Sequence, residues 1–307
     1  MKQAKRKSQS KKNVKKKQVK TAAPKKRKKK ALPALPRILA VAIGDPNNSR
    51  TIDSIPSLSI PSPCRPYITA MVDQLMRQPT LRLLGRDYVV DYQECFEDGE
   101  IFTAVTPNTA LILCMSTPVM VAAAHFTNQI PIVGVTSTPA AFPANVCGVN
   151  AQRTNNPYTY YIHFRNALGP SQTITLLNRT GNPVSEACKT AILQQETAPI
   201  AEVTFPRGND PRTPIVNAIN TIHLNGGGLL VLPVDVFFGF SDTINTTAAN
   251  RGLTVFWPAE EFAKHGHSHF GSSQVECGQN FGRQVDYILT NHAVPTGSAC
   301  WKTVNHR

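Results

Sequence analysis

From Arg37 onward, short apolar runs alternate with helix-like segments, and no other feature limits the possible folds of this chain as sharply. RILAVAIG reads as a first buried strand, and DYVVDYQ, ALILCM, PIVGVT, TITLLN, AEVTFP, GLLVLPV and LTVFW read as further strands. Between them, PYITAMVDQLMRQ sets Ile68, Met71, Val72, Leu75 and Met76 at helical spacing. PVMVAAAHF, YTYYIHFRNAL, VSEACKTAILQQE, PIVNAINTIHLN and DTINTTAANRG supply the other helices. Such alternation implies crossover units and mainly parallel sheets, an α/β fold. The strands are too many for one modest sheet, so two Rossmann-like lobes are expected, with a changeover near Asn145 to Asn150. The Pro- and Ser-rich DPNNSRTIDSIPSLSIPSPCRP after the first strand reads as an irregular insertion at the mouth of a sheet.

Composition matters chiefly for where the charge lies. The formal net charge is +14, but residues 1–30 hold 16 of the 33 Lys and Arg and no acidic residue, so the remaining body is close to neutral. Such a run cannot bury enough apolar area to offset its ordering entropy, and is expected to be a disordered Lys-rich tail. Three readings stand: a solvated, solubilising extension, a nuclear-import-like run in Pro24 to Lys30, or an electrostatic attachment to nucleic acid or an anionic surface, sequence-blind and steeply salt-dependent. A secretory signal needs an apolar stretch of roughly 7–15 residues. The segment after the lysines carries Pro33, Pro36 and Arg37, so a cytoplasmic location is expected, with a periplasmic one as the alternative. No run reaches the roughly 18 apolar residues of a membrane span. Cys64, Cys95, Cys114, Cys147, Cys188, Cys277 and Cys300 are scattered, with no CxxC pair, and read as mostly reduced packing residues.

In parallel α/β sheets the ligand lies beyond the carboxyl ends of the strands. Two such ends carry the same triplet, Ser116-Thr117-Pro118 after ALILCM and Ser137-Thr138-Pro139 after PIVGVT. Ser or Thr there can accept a hydrogen bond from the first helical turn, with Pro at a position that needs no donor. Alternatively, hydroxyls and free amides at a helix start form an anion site for a carboxylate or phosphate.

The order of segments resembles the substrate-binding proteins of bacterial ABC transporters, the branch that includes binders of tryptophan and related small molecules. GRDYVVDYQ, TALILCMSTPVMVAAAHFTNQIPIVGVTSTP and NVCGV are similar to successive family segments. The fullest match is GLLVLPVDVFFGFSDTINTTAANRGLTVFWPAEEFAKHG, followed by GQNFGRQVDYILTNHAVP as a closing helix. The resemblance implies a type I periplasmic-binding-like fold whose lobes close on a small molecule and present it to a permease, without covalent chemistry or a cofactor. It implies an N-terminal lobe of residues 31–147 and about 266–295, a C-terminal lobe of 148–265, hinges near Asn145 to Val149 and Pro258 to His269, and a monomer. Residues 296–307 read as an extension lacking the family's final strand and helix. Carried over by position, the ligand-binding candidates are Asp45, Ser116, Thr117, Thr136, Ser137, Thr138, Asp235 and Phe237, with Phe238 beside it in an aromatic wall. The hydroxyls would hold a carboxylate, and Asp235 an amino group. The chain departs from the family at Thr138-Pro139, where Asp-Pro is usual, and in the shortened segment between Pro139 and Asn145.

Other chemistry finds weaker support. His265, His267 and His269 alternate, as a shared metal on a strand would need, but no Cys or carboxylate stands at matching short spacing. Gly226 to Gly228 precede a strand and lack phosphate-loop spacing. No GxSxG turn exposes a nucleophile. A binding protein rather than an enzyme is expected, and the alternative is an interaction protein that keeps the fold and uses its basic tail to hold nucleic acid or an acidic partner.

Overall fold

The computed structural model describes residues 34–58, 64–96, 104–136, 142–151, 157–206, 208–223, 227–258, 262–263, 268–269 and 273–304. Its first strand, β1 (Arg37–Ile43), shows why the apolar runs lack alternation: Ile38, Ala40 and Ala42 face one core cluster, and Leu39 and Val41 face another. Both faces of the strand are covered, so every position from Ile38 to Ile43 is apolar.

Around β1 the chain lays down β2 (Arg50–Ile52), α1 (Arg65–Arg77), β3 (Val89–Cys95), β4 (Thr109–Cys114), α2 (Thr117–Phe126), β5 (Ile132–Thr136) and β6 (Val146–Ala151). It then builds α3 (Pro157–Leu168), β7 (Ile174–Arg179), α4 (Pro183–Leu193), β8 (Ile200–Val203), α5 (Arg212–Asn220) and β9 (Gly228–Val231). There follow α6 (Asp235–Gly239), α7 (Ser241–Asn250), β10 (Thr254–Trp257), β11 (Ser268–His269), α8 (Gln274–Asn291) and β12 (Trp301–Val304). The strands form two sheets, β12-β6-β5-β4-β1-β3-β2 and β11-β10-β9-β7-β8. All pairings are parallel except that of β2 with β3. The mainly parallel α/β architecture with two lobes is therefore as the sequence led us to expect.

Each sheet is buried between helices. In the first lobe α1 and α8 cover one face and α2 the other. In the second, α5 and α7 cover one face and α3 and α4 the other. Helix α8 follows the second sheet in sequence yet packs on α1, so the chain returns to the lobe where it began. Gly278 makes that approach possible, because a methyl group there would collide with the Tyr67 carbonyl oxygen and the Ala70 side chain.

Three expectations about organisation need correction. The C-terminal lobe does not begin at residue 148: β6 is hydrogen-bonded to β5 on one side and β12 on the other, so Gly148 to Ala151 belong to the first sheet. The Asn and Gly of NVCGV suggest a turn, but two neighbouring strands satisfy its backbone. The segment beyond Pro295 is not an appendage, since Trp301–Val304 pairs with Gly148–Ala151 as the last strand of the first sheet. The insertion after β1 contains β2, whose Thr51 accepts a long hydrogen bond from Arg37 and donates to Asp91 at 2.8 Å.

Candidate functional site

Both sheets follow the doubly wound rule, and each has a switch point where successive crossovers diverge. In the first sheet it lies between β1 and β4, and in the second between β7 and β9. Loops beyond the carboxyl ends at such points part and leave a crevice. Here the two crevices face each other. A cavity of about 70 Å³ is lined from the first lobe by Ala42, Ile43, Met115, Ser116, Thr117, Thr136 and Ala151, and from the second by Asp235, Phe238 and Gly239. Tyr67, Pro258, Phe262 and Gln274 also border it.

Ser116 is the most informative of these residues. It precedes α2 in an extended conformation, and its carbonyl accepts the Met120 N–H at 3.0 Å. Its hydroxyl makes no cap bond to the helix. Ser116 is only 6% exposed, and its Oγ has no hydrogen-bond partner among the described residues. Burying a hydroxyl without a partner costs about 1–3 kcal/mol. The cap alternative for Ser116 is thereby removed, and the hydroxyl is buried without a partner in a residue that lines the cavity. Beside it, Thr117 Oγ1 donates to Thr136 Oγ1 at 3.2 Å, which links the ends of β4 and β5. The amides of the first turn of α2 point the same way, favouring negative charge.

The other candidates separate. Asp235 begins α6 and borders both the cavity and a wider groove of about 440 Å³. That groove is also lined by Pro118, Arg179, Asn182 and Pro183, so the starts of α2 and α4 meet across it. Phe237 is no wall of the site: it is fully buried in the second-lobe core. Phe238 takes that place, stacked on Phe262 with ring centroids 4.7 Å apart. One residue in a helix turns by about 100°, which is why only one of the two adjacent rings can face the cavity. Ser137, Thr138, His265 and His267 lie outside the described residues, and His269 is placed only by its backbone in β11. Among the described residues no three His, Cys, Asp or Glu side chains gather as a metal site.

Asp45 has a different engagement from the one expected. Its carboxylate caps the 3-10 turn at Pro46–Asn48 through Asn47 N, at 3.0 Å, and forms an ion pair with Arg212 at the start of α5. Burial alone would raise its pKa, but the Asn47 amide and the Arg212 guanidinium outweigh burial and hold it below the usual aspartate value. Arg212 lies over the Phe240 ring, 5.3 Å from its centroid, and Phe240 stacks on Phe96 at 6.3 Å. Asp45 and Phe96 follow first-lobe strands, whereas Arg212 and Phe240 belong to the second lobe. Gly239 lets the lobes touch, since a methyl there would collide with the Ile43 carbonyl oxygen. The two lobes are therefore in contact around the cavity.

Residues that the sequence reading overlooked include Arg179, Arg212, Phe262 and Gln274. Two left a trace. Arg179 directly follows an apolar strand and precedes the Gly181-Asn182-Pro183 helix start, and Gln274 follows Ser273 in a Ser-x-x-Glu capping pattern, with Ser273 Oγ accepting Glu276 N at 3.4 Å. Arg212 and Phe262 carry no such signal.

No protein-family model matches the chain, and no curated protein matches it in sequence. Its structure is similar to that of a conserved domain protein from Vibrio cholerae O1 biovar El Tor, at 15% identity and a TM-score of 0.64 over 89% of this chain and 91% of that one. It is also similar to an ABC domain from Streptococcus pneumoniae in complex with L-Trp, at 14% identity and a TM-score of 0.61 over 88% of this chain and 90% of that one. A third is an ABC transporter solute-binding protein from Agrobacterium vitis bound with α-D-tagatopyranose, at 12% identity and a TM-score of 0.51 over 88% and 93%. At these identities the likeness establishes the fold, which is that of the type I periplasmic-binding-like proteins.

Proposed function

We propose that this chain, folded as a type I periplasmic-binding-like protein, is a solute-binding protein that closes its lobes on a small carboxylate-bearing molecule. The observation that carries the reading is the buried Ser116 hydroxyl, without a partner, in a residue that lines an interlobe cavity at the start of α2. A ligand carboxylate there would accept from Ser116, Thr117 and the first amides of α2, converting a standing desolvation cost into charge-assisted hydrogen bonds. Asp235, at the opposite edge, would receive an amino group, and Phe238 and Phe262 would flank the apolar part of the molecule. Structural neighbours that bind L-Trp and a sugar support the class of activity, and presentation to an ABC permease belongs to the same reading.

The cavity also bears on size. At about 70 Å³ it is far smaller than the roughly 300–1,000 Å³ of most ligand sites. Only a compact solute fits these closed lobes, and a larger one requires the lobes to part or to be reached through the groove beside Arg179. The test is calorimetry and thermal-shift screening with amino acids and related carboxylates, followed by X-ray scattering with and without the best binder. Saturable binding with compaction, lost in Thr117→Val, is the expected result. If no solute binds and scattering never changes, the reading fails, and the interaction protein with a basic tail takes its place.

A further inference from the structure

Two of the cysteines that read as scattered packing residues are brought together by the last strand. Cys147 lies in β6 and is fully buried, while Cys300 stands just before β12 and is half-buried. The parallel register sets Trp301 against Gly148, which brings the residues one step earlier, Cys300 and Cys147, alongside each other. The backbone at this point is held from two directions. Gly148 N donates to the Cys300 carbonyl at 2.8 Å, and Gln284 Nε2 in α8 donates to the carbonyls of Gly148 at 2.8 Å and Cys300 at 2.9 Å. Both side chains join the core cluster beneath α8. The Cys300 thiol also donates to the Val146 carbonyl at 3.4 Å.

We propose that Cys147 and Cys300 are a redox-active dithiol, which a low-molecular-weight disulfide oxidises to an intrachain disulfide that clamps β12 onto β6. The two thiols differ in a way that assigns their roles. The neighbouring Cys147 outweighs burial and holds the Cys300 thiol below its ordinary pKa, whereas Cys300 and burial push Cys147 up. Cys300, the more accessible, therefore ionises first and is the attacking sulfur. Its thiolate displaces one thiolate from the small disulfide and forms a mixed disulfide. The Cys147 thiol then gives up its proton and attacks Cys300 Sγ, expelling the second small thiolate. Two protein thiols and one small disulfide become one protein disulfide and two small thiols, each released sulfur taking one of the two protons. By contrast, Cys95 and Cys114 are fully buried on the other side of the same sheet, beyond the reach of such a reagent.

The clamp would act on an edge. β12 is an outer strand of the seven-stranded sheet, and β6 runs on to Ala151, which ends the strand and lines the cavity. Fixing β12 therefore stiffens the edge of the first sheet, and neither Cys147 nor Cys300 lines the cavity.

The experiment equilibrates the full-length protein with mixtures of reduced and oxidised glutathione, quenches in acid, alkylates under denaturing conditions and maps the peptides by mass. The expected result is loss of two of the seven thiols together, in one link joining the Cys147 and Cys300 peptides and reversed by dithiothreitol. The oxidised form should melt higher, by on the order of 5 °C. Cys147→Ser should stop at a glutathione adduct on Cys300, and Cys300→Ser should leave Cys147 unmodified in the native protein. The proposal is overturned if all the thiols stay alkylatable at the most oxidising ratio, if the link joins another pair, or if the oxidised form melts no higher. Because the mapping uses the unaltered protein, the outcome stands even if neither variant folds.

Discussion

At the scale of the residue, the molecule separates side chains that hold the structure from one that awaits a partner. Ser116 makes no cap bond and its buried hydroxyl has no partner, so Ser116→Ala should stabilise the ligand-free protein by about 1–3 kcal/mol, whereas loss of a cap would cost ~1 kcal/mol. Its affinity for a carboxylate should fall roughly 10-fold or more, the worth of a hydrogen bond to a charged group. Chemical denaturation and calorimetry on one preparation check both halves. Asp45 behaves in the opposite way, because its carboxylate is committed to Asn47 and Arg212. Its folded-state pKa is depressed, so its contribution is fully present above about pH 4 and lost as pH falls through the depressed value. Arg212→Met should open the lobes, raising the radius of gyration, and should weaken ligand binding in proportion to the lost closed population. Unchanged scattering would remove the ion pair from any role in closure.

At the scale of the element, glycine sets how closely α1 and α8 approach. Gly278→Val would force a branched side chain against the Tyr67 carbonyl, and should destabilise the protein by about 1–3 kcal/mol despite the poorer helix propensity of glycine. Urea denaturation measures the loss. Much at this scale was legible in the sequence: the apolar runs RILAVA, ALILC and ITLLN became β1, β4 and β7, and the spacing of Ile68, Met71, Val72 and Leu75 became the buried face of α1. The elements missed were of two kinds. β2 and β12 are short and contain Arg50, Thr51, Lys302 and Thr303, so they lack an apolar run, and they exist because β3 and β6 offer open edges. β6 has the apolar residues, but its Asn and Gly imitate a turn until two neighbours pair with it.

At the scale of the whole molecule, the charge and the cleft belong to separate parts of the chain. Deleting residues 1–30 removes 16 basic residues and should abolish salt-sensitive binding to DNA, read by titration at two ionic strengths, while solute binding persists. Loss of solute binding on deletion would mean that the tail serves the site.

Read alone, the sequence determined what local physical chemistry determines. Covered strands must be apolar, helices between them must present one apolar face, and their alternation must close into parallel sheets whose carboxyl ends carry the site. It placed Ser116 and Thr117 at such an end for that reason, while Thr136 and Asp235 came only through the resemblance to substrate-binding proteins. Tertiary structure alone decided which hydroxyl is left without a partner, that Asp45 meets Arg212, that Phe238 rather than Phe237 faces the cavity, and that Cys147 meets Cys300. Those outcomes depend on contacts between residues far apart along the chain and on the exact rotation of an element, neither of which periodicity records.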